Sequence, residues 1–290
     1  MNMPEKIKVG EVARFIRGIT FKPMDTVEPN SHGSVVCMRT KNVQTDLDQT
    51  DLLAVPKSFV KRKEQFLNEG DILVSSANSW ELVGKCSWVP YLRYEATAGG
   101  FISILRGNKQ KVDARYLFHW LGSPPIQHKL RHCGRQTTNI SNLSFELALE
   151  LEIPVPTLAE QKRIATILDK ADAIRRKRRQ AIQLADEFLR SVFLDMFGNP
   201  SINPKKYPYE ILSNLLADKP NAIRTGPFGS QLKHSEFVTE GIPVLGIDNV
   251  VTNEFRWTTS RCLPKDKYEE FKRYRVYPDD VIVTIMGTTG

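Results

Sequence analysis

The sequence predicts an α+β fold in three parts: a mixed α/β domain over residues 1–156, a long coiled-coil-type spacer helix over 157–198, and an incomplete second copy of the domain over 199–290. Three observations predict it. A long stretch contains no helix breaker, a weak internal repeat flanks it on both sides, and within each repeat short apolar runs end in polar turns.

The helix is bounded by its own sequence. Thr157-Leu158-Ala159-Glu160 reads as a capping box, with the Glu160 backbone N–H donating to the Thr157 hydroxyl and the Glu160 side chain reaching back. Pro154 and Pro156 keep the lead-in extended. At the far end Gly198 can take the left-handed C′ conformation, and Pro200 blocks continuation. Between them Ile164, Ile167, Ala171, Ile174, Arg178, Ala181, Ala185, Phe188 and Val192 fall alternately three and four apart, a coiled-coil seam that only Arg178 interrupts. Ile167, Ile174, Phe188 and Val192 are the helix-pairing candidates. The basic run Arg175 to Arg179 turns about 100° per residue and so encircles the helix. Asp172 is spaced to neutralise part of it, which makes a solvated stretch the plainer reading and a phosphate contact the sharper one.

Composition narrows the classes. A chain of 290 residues, 41% of them hydrophobic, is long enough for two cored units, and a formal charge of +8 favours an anionic partner, nucleic acid first. There is no apolar run of membrane length and no charged-then-apolar leader over Met1 to Gly10, so a cytoplasmic protein is expected. Cys37, Cys86, Cys133 and Cys262 are scattered without a C-x-x-C pair, which argues against a disulfide framework. His128, His132 and Cys133 cluster after Pro124-Pro125 but lack a clear fourth ligand, so no metal and no cofactor is expected.

The repeat sets the architecture. VVCMRTKNV (Val35 to Val43) is echoed by IPVLGIDNV (Ile242 to Val250), each an apolar run closing on a turn with Asn42 or Asn249. Asn68-Glu69-Gly70-Asp71 followed by ILVSSA is echoed by Tyr277-Pro278-Asp279-Asp280 followed by VIVTIMG, each a tight turn feeding a buried strand. Short polar groups follow: Ser75, Ser76, Asn78 and Ser79 in the first unit, Thr284, Thr288 and Thr289 in the second. The first unit continues through strand-like Gly100 to Leu105, helix-like Asp113 to Leu121, the polar loop Gly134 to Asn139 and extended Leu151 to Pro156. None of this recurs in the second, so the sequence is expected to come from a truncated gene or to be a fragment.

Three segments in order carry a resemblance: GRQTTNISNL (Gly134 to Leu143), IPVPTLAEQKRI (Ile153 to Ile164) and RTGPFGSQLK (Arg224 to Lys233). With the helix between two domains, the whole chain resembles the specificity subunit of type I restriction-modification enzymes. The resemblance implies a non-catalytic reader of double-stranded DNA, in which two target-recognition domains each read half of a split site and antiparallel helices set their separation. It implies methyltransferase (modification) and nuclease/translocase (restriction) subunits as partners. The residues agree in what they omit, having no G-x-x-x-x-G-K-[ST] phosphate loop, no G-x-G after a strand and no Asn/Asp-Pro-Pro-aromatic motif. Two other classes stay open, a scaffold or decoy that binds methyltransferase subunits without reading DNA, and a nucleic-acid-modifying enzyme.

On that reading Arg39, Lys41, Asn42, Ser76, Asn78, Arg135 and Gln136 are the DNA-facing set of the first domain. Arginines can fork onto guanine, Asn and Gln can pair with adenine, and Lys41 suits a phosphate. Arg224, Thr225, Gln231 and Lys233, around the turn Gly226 to Gly229, are the corresponding set in the second. A seam without an in-chain partner must be covered, and a homodimer through the spacer helix is one way to do it.

Overall fold

The computed structural model describes residues 5–136, 140–217, 222–227, 231–250, 255–257 and 261–285. The chain divides into two compact units, Met1–Phe193 and Leu194–Gly290. In the first, the strands are β1 (Lys6–Lys8), β2 (Ala13–Arg17), β3 (Ser34–Met38), β4 (Ala54–Pro56), β5 (Ile72–Ser75), β6 (Ala77–Asn78), β7 (Cys86–Trp88), β8 (Ala96–Ala98), β9 (Ile102–Gly107), β10 (Gly134–Gln136), β11 (Ser141–Leu143) and β12 (Glu152–Pro154). The helices are α1 (Ala114–Leu121), α2 (Pro124–His132), α3 (Phe145–Leu149) and α4 (Leu158–Phe197). The architecture is α+β.

Strand alternation explains the central sheet, ordered β2-β9-β5-β7 and antiparallel throughout. Ile72, Val74 and Leu105 point to one face, against Leu117, Leu121 and Leu130 of α1 and α2. Leu73, Ile102 and Ile104 point to the other, against Val36 and Met38 of β3. Successive side chains on a strand take opposite faces, so an unbroken Ile-Leu-Val run marks a sheet covered on both sides. The covering layer is a second sheet, β4-β3-β8, in which β3 runs antiparallel to β4 and parallel to β8. Its outer face buries Val35, Cys37 and Val55 under Phe21, Phe59 and Phe66. Burial pushes the Cys37 thiol up to about 12, so it stays protonated and inert at neutral pH. All four cysteines are free.

The ends of the helices follow their caps. Asp113 accepts from the backbone N–H groups of Arg115 (3.0 Å) and Tyr116 (2.9 Å) to start α1, and Pro124-Pro125 opens α2. α4 has 40 residues and spans roughly 60 Å. Glu160 N–H donates to Thr157 Oγ1 at 3.4 Å, and Gly198 closes the helix at φ 74°. The second half of the expected capping box is replaced: Glu160 Oε1 instead accepts from Arg163 Nη1 at 2.9 Å.

The root of α4 is docked by a residue that looks like surface. Gln161 is fully buried; its amide donates to Pro156 O (2.9 Å) and Lys111 O (3.3 Å) and accepts from Asp113 N–H (2.8 Å). Two turns on, Asp169 Oδ1 accepts from Arg115 Nε and meets His119 Nε2, each at 2.7 Å. Burial works to raise the Asp169 carboxyl, but His119 and Arg115 outweigh it and hold it below the usual carboxylate range. Arg175 pairs with Asp172 at 2.8 Å as its spacing suggests, whereas Arg176 reaches Asp46 of the loop after β3 at 2.6 Å. Of the helix-pairing candidates, Ile167, Ile174 and Phe188 are exposed and Val192 is half-buried.

The second unit, taken by itself, repeats one strand pairing and two turns of the first. Its strands β13 (Ile242–Pro243) and β14 (Cys262–Leu263) pair as Ile242 with Leu263 and Pro243 with Cys262, the register of Val35 with Val55 and Val36 with Ala54. Asn68 N–H donates to Asp71 Oδ2 (2.8 Å) as Tyr277 N–H does to Asp280 Oδ2 (3.0 Å), with Gly70 at φ 92° and Asp279 at φ 67°. α5 (Lys265–Phe271) follows β14. The expected strand after Asp280 is not formed over Val281 to Ile285, where Val281 is 88% exposed. Thr284 is exposed; Thr288 and Thr289 lie outside the described residues.

Candidate nucleic-acid interface

Register places the sequence-selected groups of the first unit at one end of the layered sheets. The C-terminal ends of β3 and β8 lie together, Met38 opposite Ala98, and the C-terminal end of β5 lies beside the start of β9, Ser75 opposite Ile102. The β8–β9 turn ties them, since Gly99 N–H donates to Met38 O (2.9 Å) and Ser76 N–H to Phe101 O (2.9 Å). Arg39 and Ser76 each follow directly from these ends. A Cβ on Gly18 would collide with the Gly99 carbonyl, which requires glycine at this close approach.

Arg39 and Lys41 converge on a single carboxylate. Arg39 Nη2 donates to Asp51 O (3.1 Å) and Oδ1 (3.2 Å), and Lys41 pairs with the same exposed side chain. Surface pairs of this kind are worth about 0–1 kcal/mol, so both cations are parked and can exchange to a stronger anion. Asn42 does different work. It is 1% exposed, accepts from Arg39 N–H (2.8 Å) and donates to Asp48 O (2.9 Å) and Asp51 O (3.1 Å), so its amide is consumed in holding the turn.

A third sheet, β10-β11-β6, gathers the other candidates. Gln136, Ser141 and Asn78 share one row across it, and Arg135, Asn142 and Ala77 the next. Asn78 is half-buried, donating to Ser75 Oγ (3.2 Å) and accepting from Ser79 N–H (2.9 Å), and Ser76 is buried. Thr137, Thr138 and Asn139 lie outside the described residues. Beside this sheet stand groups that sequence reading missed: Trp80 packs edge-on to His132 (5.9 Å between centroids) and carries Arg131 at 5.8 Å from its ring, while Phe101 is exposed on the β8–β9 turn. The Gly-Gly-Phe sequence of that turn was the available signal. His132 Nδ1 lies 2.9 Å from the His128 carbonyl, and among the described residues no group of three or more His, Cys, Asp or Glu is placed to hold a metal.

In the second unit Arg224 donates to the Arg275 carbonyl and approaches Asp280 Oδ2 at 3.4 Å. Thr225, Gln231 and Lys233 are exposed, and Lys233 N–H donates to Glu236 Oε2 at 2.7 Å. Phe228 and Gly229 lie outside the described residues.

Fold and surface together define an α+β domain with a polar, cation-bearing end and a long helix rooted in it. The model for the type I restriction modification DNA specificity domain matches residues 4–184, and the chain belongs to that family. It is 26% identical over 291 residues to the EcoKI type I restriction enzyme specificity subunit of Escherichia coli K12, covering 95% of this chain and 60% of that one. It is 31% identical over 191 residues to the StySPI specificity subunit of Salmonella potsdam, covering 63% of this chain and 40% of that one. The MjaVIII specificity subunit of Methanocaldococcus jannaschii is 22% identical over 289 residues, covering 97% and 63%. The chain therefore spans less than two thirds of the length of each of these relatives. A crystal structure of the type I restriction-modification S subunit from M. genitalium aligns with a TM-score of 0.48 at 17% identity, covering 84% of this chain and 60% of that one. Among the described residues no helix is long and apolar enough to cross a membrane.

Proposed function

We propose that the chain is the non-catalytic DNA-recognition subunit of a type I restriction-modification system, each recognition domain reading one half of a split site. The observation that carries this is the shared end of the first unit, where Arg39, Lys41, Asn78 and the β10–β11 ladder bearing Arg135 and Gln136 meet on a domain of the DNA specificity family. Double-stranded DNA is the ligand, methyltransferase subunits take their target from it, and a nuclease/translocase subunit acts where they bind. Methylome mapping with and without the chain tests this: a split motif that vanishes with the chain supports the reading, and an unchanged methylome refutes it.

The exposed seam of Ile167, Ile174 and Phe188 calls for an antiparallel helix against it, and a second copy of the chain supplies one. Two basic runs then face each other near the middle, so the pairing strengthens with salt or DNA. Sedimentation across ionic strength checks this. A monomer at tens of micromolar in every condition would leave the seam to the methyltransferase subunits.

A further inference from the structure

The end of the first unit opposite the shared reading end holds a groove of about 1140 Å³. Register fixes its place: it is lined at the N-terminal side of β8 by Ala96, at the C-terminal side of β9 by Arg106 and just past β4 by Lys57. β3 alone separates the two ends by five residues, roughly 17 Å. A duplex gripped at the reading end therefore leaves this groove for something else.

Its lining is cationic and aromatic. Glu95 neutralises Lys57 (2.7 Å) and Glu64 neutralises Arg62 (2.8 Å), while Asp71 holds Arg106 (2.6 Å). That leaves Lys63 and Arg93, both exposed, whose side chains make no hydrogen bond or ion pair with any described residue. In the same groove the loop after β7 presents Tyr91, 74% exposed, whose ring packs on no other ring among the described residues. Unpaired cations beside a bare aromatic face are what an unpaired base with its phosphates requires. A duplex backbone offers no base face to Tyr91, and an acidic peptide would leave the ring without a stacking partner.

We propose that this groove binds a single-stranded nucleic-acid segment, phosphates on Lys63 and Arg93 and a base stacked on Tyr91. It is a second contact, without sequence readout, and does not depend on which split site the other end reads. The test titrates the full chain with fluorescein-labelled twelve-nucleotide oligo-dT by anisotropy across salt. The double variant Lys63→Gln/Arg93→Gln should bind at least tenfold more weakly and flatten the log–log salt slope by about 1.4, two contacts at about 0.7 each. Lys162→Gln, at an exposed cation on α4, should change oligo-dT binding by less than twofold. On the unsubstituted chain, photocrosslinking with bromodeoxyuridine in the same oligomer should label the segment around Tyr91. An unchanged affinity in the double variant, crosslinks confined to other segments, or equal displacement of the oligomer by a polyglutamate twelve-mer would each overturn the assignment.

Discussion

The turns Arg39–Asn42 and Gly246–Asn249 are built alike and charged oppositely. In each, the asparagine is 1% exposed and its Oδ1 accepts at 2.8 Å from the backbone N–H three residues back. In each, its Nδ2 reaches the carbonyl of a following loop, Asp48 in the first and Arg256 in the second, at 2.9 and 2.8 Å. The flanking positions invert. Arg39 and Lys41 meet Asp51 in the first turn, whereas Gly246 and Asp248 stand in their places in the second and Asp248 is met by Arg261. Frame and lettering are thus separable: a buried amide holds the loop, and the residues around it are free to differ.

Breaking the frame should have the largest effect. Asn42→Ala strands the Arg39 N–H and the Asp48 and Asp51 carbonyls, and is expected to cost about 3 kcal/mol in urea unfolding. Asn249→Ala should loosen its own turn in the same way, read by faster amide exchange around Gly246. An unshifted midpoint for Asn42→Ala would show that the amide is not the frame. Changing the lettering should spare the fold. Arg39→Ala is expected to lower affinity for the methylome-derived duplex about tenfold, about 1.4 kcal/mol, with the unfolding midpoint within error of the parent. Asp248→Lys should alter preference at one half of the split site and leave the other half alone, which sequencing of methylated fragments reads directly.

The smallest effects come from the second pair of equivalent turns. Gly70→Ala places a Cβ at φ 92°, where L side chains are strained, and should destabilise by about 1 kcal/mol although the space is open to ordinary contact. Asp279→Gly relieves the same strain at φ 67° while loosening the unfolded chain, so its net effect should stay within about 0.5 kcal/mol. Equal and opposite large shifts would mean the two turns are not the same device.

Much of this was legible beforehand. The helix ends were written in Thr157, Gly198 and Pro200, and the repeat aligned Ile242 to Val250 with Val35 to Val43, although the strands that pair with them, β14 and β4, carry no echo that marks them in sequence. Asn42 was read as a base contact because an amide in a polar turn looks the same in sequence whether it faces solvent or the loop beneath it. Its recurrence as Asn249, among neighbours that change sign, was the available clue that it belongs to the scaffold. Gln161 was invisible for a related reason, since polar burial leaves no periodicity and only the carbonyls of Pro156 and Lys111 reveal why the amide sits there. The basic run was half legible: the Asp172 pair follows helix spacing, but Asp46 lies far away in sequence. The strand expected after Asp280 follows from apolar pattern alone, and pattern says nothing about whether a neighbouring strand is there to bond it.

The bare stripe on α4 leaves a continuous apolar surface in water. Ile167, Ile174, Ile182, Phe188 and Leu189 sit in water until something covers them, each hydrated at a cost that scales at about 25 cal/mol per Å² of apolar surface. Quality-control machinery recognises that kind of surface, so replacing Ile167, Ile174 and Phe188 by Ser is expected to lengthen the lifetime of the chain expressed by itself, read by a cycloheximide-type chase.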